Sequence, residues 1–227
     1  MINIENGGQV DLILGTMFSG KTTYSLSKIA KMAELNYSIL YVNINFDTRS
    51  KEAFSTHNPF LGTDENFSKQ ESIKKNVQMI KSKRLLGLDI DSKDVIVIDE
   101  AHFFNDLVEF VNECLNKNKC VIVVSLIADF EGNKFGKALD LAPICTNIKK
   151  LHAYCSECAK DKKCCLATFS KRIIESKKSI EIGGSEKYVP VCRFHYTQNQ
   201  DEFICNSKII TVENDTCTKI TKNMIIN

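Results

Sequence analysis

At 227 residues, 43% of them hydrophobic, the chain suits one medium α/β domain with a small appendage and has enough apolar side chains for a real core. Thirty basic and 28 acidic residues leave a net charge of +2, which argues against a bulk nucleic-acid-binding surface. No stretch approaches the roughly 18–20 apolar residues of a membrane span, and Met1–Asn6 lacks the charge and apolar run of a secretory signal. A cytoplasmic location is therefore expected, a nuclear one staying open, and the ten cysteines read as reduced thiols or metal ligands.

The first predicted element, the apolar run Val10–Leu14, leads straight into Gly15-Thr16-Met17-Phe18-Ser19-Gly20-Lys21-Thr22. This fits G-x-x-x-x-G-K-[ST], and helix-compatible residues Thr23–Glu34 follow it. Glycines let backbone N–H groups wrap a phosphate, and the following helix adds its positive end. In such a loop Lys21 reaches the β- and γ-phosphates and the Thr22 hydroxyl ligates Mg²⁺. A bound nucleoside triphosphate is the reading.

Ile39–Ile44 is the second buried strand; Asp47-Thr48-Arg49 after it offers a guanidinium to phosphate or a surface ion pair. His57-Asn58-Pro59 and Gly62 mark a loop, and Ser68–Lys81 reads as a helix. Val95–Ile98 is a strand ending in Asp99-Glu100. Asp99 suits a Mg²⁺-associated acid; Glu100 suits a general base for a hydroxyl, a base for water in an ATPase, or a helix cap. Asp106–Asn116 is a helix whose stripe is Leu107, Val108, Val111 and Leu115. Val121–Leu126 is the next strand, and Phe103, Phe104, Phe130 and Phe135-Gly136 follow strand ends, where they line either a base pocket or the core. The alternation predicts a doubly wound α/β domain over about residues 1–150.

Near Leu151 the texture changes to clustered cysteines and short alternating stretches, marking a second unit over about 151–200, then a polar tail at 201–227. Cys155-x-x-Cys158 and Cys192-x-x-His195 have zinc spacing, and four protein ligands make the site structural. Cys164-Cys165 offers a substitute ligand or nothing, whereas Cys114, Cys120 and Cys145 read as core. In Ile180–Tyr188 the two glycines permit close backbone approach to a ligand, but spacing alone favours a hairpin turn with a surface tyrosine. A phosphate loop beside a zinc ribbon also fits an ATPase acting on nucleic acid, or a nucleotide-binding regulator; the near-neutral charge and the intact Lys21, Thr22, Asp99 and Glu100 weigh against these.

The motifs together resemble one family. The phosphate loop with Met17-Phe18-Ser19, Asp47-Thr48-Arg49, Asp99–Phe104, Asp129-Phe130 with Phe135-Gly136, Ser170-Lys171-Arg172, Ile182-Gly183-Gly184 with Lys187-Tyr188, and Cys192-x-x-His195 occur in the order seen in type II thymidine kinases, the cellular and poxvirus-like enzymes. The resemblance covers about residues 8–196. It implies a P-loop NTPase (RecA-like) parallel-sheet domain with a zinc-binding lasso domain, and ATP-dependent phosphorylation of the 5′-hydroxyl of thymidine or deoxyuridine. It makes Glu100 the general base, with Lys21 and Arg49 assisting catalysis. ATP would be held by Gly15 through Thr22, Asp47, Arg49, Asp99 and His102, with Mg²⁺ on Thr22 and Asp99. Met17, Phe103, Leu126, Phe130, Phe135 and Ser170 would enclose the nucleoside, with Ser179, Ile180, Glu181, Ile182, Gly183 and Tyr188 from the lasso, which zinc on Cys155, Cys158, Cys192 and His195 would anchor. A homotetramer inhibited by dTTP is implied as well, with no nucleic-acid or membrane partner.

This chain departs from the family pattern where Ile127 replaces a usual Asp and His102 a commoner Gln. The stretch between Cys158 and Ser170 is also longer by about five residues, as an extra surface loop would be.

Overall fold

A computed structural model describes residues 7–44, 70–174 and 183–198. Its frame is a six-stranded, wholly parallel sheet. The strands are β1 (Gln9–Gly15), β2 (Ile39–Ile44), β3 (Val77–Ser82), β4 (Val95–Ile98), β5 (Cys120–Leu126) and β6 (Asn147–Leu151), in the spatial order β3-β2-β4-β5-β1-β6. Successive side chains alternate between two apolar clusters, as a sheet covered on both faces requires. Val10, Leu12, Leu40, Val42, Ile96, Ile98, Val121 and Val123 meet α3 (Leu107–Asn116) and the 3₁₀ segment Ala138–Ile144. Ile13, Ile39, Tyr41, Val95, Val97, Ile122 and Val124 meet α1 (Lys21–Glu34) and α2 (Glu71–Asn76).

Helix α1 buries Leu26, Ile29, Met32 and Ala33, a stripe at helical spacing. In α3 the buried residues are Leu107, Phe110, Val111 and Cys114, while Val108 and Leu115 are only partly buried. The stripe is thus rotated from the expected one and centred on Phe110. Each such side chain contributes about 1.5–3 kcal/mol when fully buried.

Two strands of the central sheet were not foreseen. The expected helix Ser68–Lys81, whose first two residues lie outside the described ones, is a short helix that gives way at Val77 to β3, in register with Ile39–Ile44 of β2. Ile73, Val77 and Ile80 satisfy helical spacing and Val77 and Met79 strand spacing, so the unpaired edge of β2 decides. β6 carries Asn147-Ile148-Lys149-Lys150, almost wholly exposed, so it shows no apolar run. Its two lysines suit an edge strand.

Beyond β6 the small unit holds β7 (Ala153–Tyr154) against β8 (Leu166–Ala167), and β9 (Phe169–Arg172) against β10 (Tyr188–Val191), both antiparallel, with α4 (Ser156–Lys160) between β7 and β8. Among its described residues Ala153, Cys155, Cys158, Ala167 and Val191 form a buried cluster, against which Phe18 of the glycine-rich loop packs.

Candidate nucleotide site and metal centre

The loop Thr16–Gly20 connects the C-terminal end of β1 to the first residue of α1. A Cβ at Gly15 would lie 2.4 Å from Ser19 Oγ and 2.6 Å from the Leu151 carbonyl oxygen, so only glycine fits there. Gly20, at φ +79°, turns the chain into α1 in a conformation that costs other residues. Phe18 takes a left-handed φ of 61° as well, with its ring against the small unit. Ser19 Oγ donates to the Thr16 carbonyl at 2.8 Å, and Lys21 Nζ donates to the same oxygen at 2.7 Å. Lys21 is therefore folded back over the loop it would share with a phosphate. Burial lowers its pKa, and the charges of Glu100 and Asp99 oppose that shift. The half-buried Thr22 follows it in the first turn of α1.

Strand β4 delivers Asp99 to the same end of the sheet, one strand away from β1 across β5. Asp99 is buried, with the Tyr41 hydroxyl donating to Oδ2 at 2.6 Å and the Glu100 N–H donating to Oδ1 at 2.9 Å. Burial first, and the Glu100 charge second, push its carboxyl up to about 6; the Tyr41 hydrogen bond, the Glu100 N–H and Lys21 pull the other way. Two carboxylates within electrostatic reach of one lysine, with the Thr22 hydroxyl next to that lysine in the first turn of α1, offer hard oxygen donors of the kind Mg²⁺ takes.

Glu100 has left the strand. At φ 51° and ψ 40° it occupies the left-handed region, unusual for a residue with a side chain, and strain of this kind clusters at functional sites. Its side chain makes no capping hydrogen bond to the 3₁₀ turn Ala101–Phe103, which removes the helix-cap reading. Its Oε2 lies 3.6 Å from His102 Nε2. The Leu126 N–H donates to His102 Nδ1 at 3.3 Å, so the neutral ring carries its proton on Nε2, facing Glu100. His102 is buried between the rings of Phe103 and Phe135, at centroid distances of 4.2 and 4.5 Å. A Cβ on Gly136, at φ +67°, would stand 2.3 Å from the His102 carbonyl oxygen.

The other expected pocket residues form a second group. Arg172 stacks its guanidinium 3.6 Å from the Phe130 ring centroid and lies 5.9 Å from that of Tyr188. Tyr188 pairs with Arg172 across β9 and β10 and is buried, not the surface tyrosine that spacing favoured. Gly183 and Gly184 open the turn into β10, where Lys187 and Tyr188 both donate to the Gly184 carbonyl at 3.0 Å. Ser170 accepts the Met17 N–H at 3.0 Å, joining the glycine-rich loop to β9. Ile127 packs on the main core, and its N–H reaches the Gly15 carbonyl at 3.2 Å. Asp47, Arg49, Ser179, Ile180, Glu181 and Ile182 lie outside the described residues, as does the loop at His57–Gly62.

In the small unit, Cys155 sits between β7 and α4, Cys158 within α4, Cys192 after β10, and His195 three residues further on. Their ligand atoms all lie within 4.8 Å of one another. The three sulfurs stand 3.5, 3.5 and 3.4 Å from His195 Nδ1, and Cys158 Sγ lies 3.9 Å from Cys192 Sγ. Tetrahedral zinc, with Zn–S of about 2.3 Å and Zn–N of about 2.0–2.1 Å, calls for roughly 3.5 Å between S and N and 3.8 Å between sulfurs. The donor set and its spacing fit zinc. Burial opposes ionisation of Cys155, yet backbone hydrogen bonds from Cys158 and Cys192 bring its thiol down to about 6. Cys164 is exposed, and neither it nor Cys165 belongs to the cluster.

Two residues that reading the sequence passed over also shape the region. Tyr196 stacks on Phe169 and donates to the Phe130 carbonyl at 3.1 Å, tying the metal cluster to an expected pocket wall. Tyr41 holds Asp99. The signal for it was a phenol in an otherwise uncharged, fully buried strand.

A thymidine kinase family model matches residues 8–196. The chain is 35% identical to human cytosolic thymidine kinase over 189 residues, 83% of this chain and 73% of that one. It is 37% identical to the thymidine kinase of Amsacta moorei entomopoxvirus, covering 84% of this chain and 98% of the viral protein. It is 33% identical to that of Vaccinia virus (strain Western Reserve), with the same coverage.

Proposed function

The chain belongs to the thymidine kinase family, and on that premise we propose that it transfers the γ-phosphoryl group of ATP to the 5′-hydroxyl of thymidine, and of deoxyuridine, as a salvage enzyme. The observation carrying this reading is the convergence, at one end of a parallel sheet, of the glycine-rich loop with Lys21, the buried Asp99, and Glu100 strained out of its strand. The separation of β1 from β4 by β5 supports a P-loop, RecA-like assignment.

Each group has a task. Loop N–H groups and the start of α1 cradle the phosphates, and Lys21 exchanges its Thr16 carbonyl partner for the β- and γ-phosphate oxygens. Thr22 and Asp99 would hold Mg²⁺, which supplies charge neutralisation on the phosphates. Glu100, whose Oε2 lies 3.6 Å from His102 Nε2, accepts the 5′-hydroxyl proton as the oxygen attacks. Met17, Phe103, Leu126, Phe130, Phe135, Ser170 and Tyr188 enclose the base and sugar, the segment from Ser179 to Gly183 reads the base edge, and Asp47 and Arg49 serve the nucleotide. Cys155, Cys158, Cys192 and His195 would hold a structural zinc, and that closure would steady β10 so that Tyr188 is presented to the nucleoside. The domain bounds 1–150 and 151–200, a cytoplasmic homotetramer and feedback inhibition by dTTP complete the proposal.

Purified protein with radiolabelled ATP and thymidine should yield dTMP. A thermal-shift panel should single out thymidine and deoxyuridine among nucleosides, because ligands that bind the native state raise its apparent stability. Absence of transfer to any deoxynucleoside refutes the assignment.

A further inference from the structure

Tyr41 lies in β2, level with Val97 of β4 in the parallel register. Both side chains belong to the apolar cluster on the α1 and α2 face, together with Ile39, Val95 and Ile122. A phenol among these neighbours is costly unless its hydroxyl finds a partner. Tyr41 is 1% exposed, and its hydroxyl reaches along the sheet past Val97 to Asp99 Oδ2 at 2.6 Å. The Glu100 N–H takes the other oxygen, Oδ1, at 2.9 Å. The carboxylate is therefore gripped from two different elements, its own chain and the neighbouring strand. Either donor alone would leave it free to swing about its Cβ–Cγ bond. The pair fixes its plane and leaves the second lone pair of each oxygen unclaimed by these two donors.

We propose that Tyr41 is a positioning residue for phosphoryl transfer: it holds the Asp99 carboxylate in the orientation that serves the Mg²⁺–nucleotide complex, and it acts only through Asp99. The inference rests on the reading of the chain as a Mg²⁺-dependent thymidine kinase. Buried in the sheet, Tyr41 reaches the site through Asp99. Its contribution belongs to metal-dependent nucleotide binding and not to binding of the acceptor nucleoside.

The variant Tyr41→Phe keeps the ring, and hence the packing, while removing the hydroxyl. It should fold, with a wild-type circular dichroism spectrum. Calorimetry should give wild-type affinities, within about twofold, for thymidine and for ATP in EDTA, whereas the affinity gained on adding Mg²⁺ should fall about tenfold, as loss of one hydrogen bond to a charged group predicts. The Mg²⁺ concentration for half-maximal turnover should rise by a similar factor. In an Asp99→Asn background the same substitution should have no further effect on the Mg²⁺ response, the signature of one residue acting through the other. An unchanged Mg²⁺ response in Tyr41→Phe, equal losses of thymidine and metal-free ATP binding, or additive effects in the double variant would each overturn the proposal. If the wild-type protein fails to phosphorylate thymidine while the Mg²⁺-dependent ATP binding still responds to Tyr41, the assigned reaction fails and this role stands.

Discussion

Replacing Gly136 with alanine tests how tightly the segment carrying His102 and Glu100 is packed. Two costs combine at this position. The backbone sits at φ +67°, where a Cβ costs roughly 1–2 kcal/mol. The added Cβ would also stand 2.3 Å from the His102 carbonyl oxygen and 2.7 Å from its Cα. Both are backbone atoms that cannot rotate away, and overpacking of this kind costs about 1–3 kcal/mol more. A total of about 2–5 kcal/mol corresponds to a fall in Tm of roughly 5–15 °C for a chain of this size. Gly87 supplies the control: its φ is +92° but nothing lies within 4 Å of its Cβ position, so Gly87→Ala should show the conformational cost alone. Thermal denaturation of both variants, with thymidine phosphorylation measured below the lower Tm, separates the two contributions. Gly136→Ala should be the less stable and should also lose turnover, because His102 cannot move without disturbing its approach to Glu100 and its hydrogen bond from Leu126. Equal losses of stability in the two variants would refute the tight apposition and, with it, the argument that Gly136 sets the position of His102.

Three further outcomes are expected. Glu100→Gln should lower turnover by about 10²–10⁴-fold, the usual worth of a general base, while calorimetry finds thymidine affinity retained; loss of both together would mean a structural role. The protein should carry one zinc per chain by metal analysis, and Cys192→Ala or chelation should remove it and expose the segment around β9 and β10 to limited proteolysis, since the ligands themselves, Cys155 and Cys158, make up much of the buried cluster there. Burial pushes the Cys114 and Cys120 thiols up to about 12. Unfolded thiols ionise near pH 9 while these stay protonated, so their contribution is intact below about pH 9 and declines as pH rises toward 12. Near pH 10.5 that loss is about 2 kcal/mol each, and urea midpoints should show a shallower alkaline decline in the Cys114→Ala/Cys120→Ala variant.

The parts legible from the residues alone were those with a local cause. Val10–Leu14, Ile39–Ile44, Val95–Ile98 and Val121–Leu126 are nearly continuous in apolar character, interrupted only by Asp11, Asn43 and Ser125, because both faces of a parallel strand are covered, and all four lie in the central sheet. The glycine-rich loop is equally local: the clash at Gly15 and the left-handed turn at Gly20 are constraints within a few residues. Two C-x-x-[CH] pairs carry their ligand spacing in the chain, and the four side chains meet at distances that zinc accepts.

What tertiary structure decided were the relations that depend on a partner distant in sequence. β3 is a strand and not a helix because β2 has an open edge beside it, and β6 joins the sheet through pairing with β1 although it buries almost nothing. Asp99 and Glu100 are adjacent in the chain, but their different settings come from surroundings: Tyr41 on another strand grips the first, and the second stands in a left-handed turn beside His102, which Leu126 and Gly136 contact. Hydrophobic periodicity and turn chemistry are written residue by residue, so the chain declares its four apolar strands and its glycine-rich loop by itself. The orientation of a carboxylate depends on donors that only folding brings within hydrogen-bond reach.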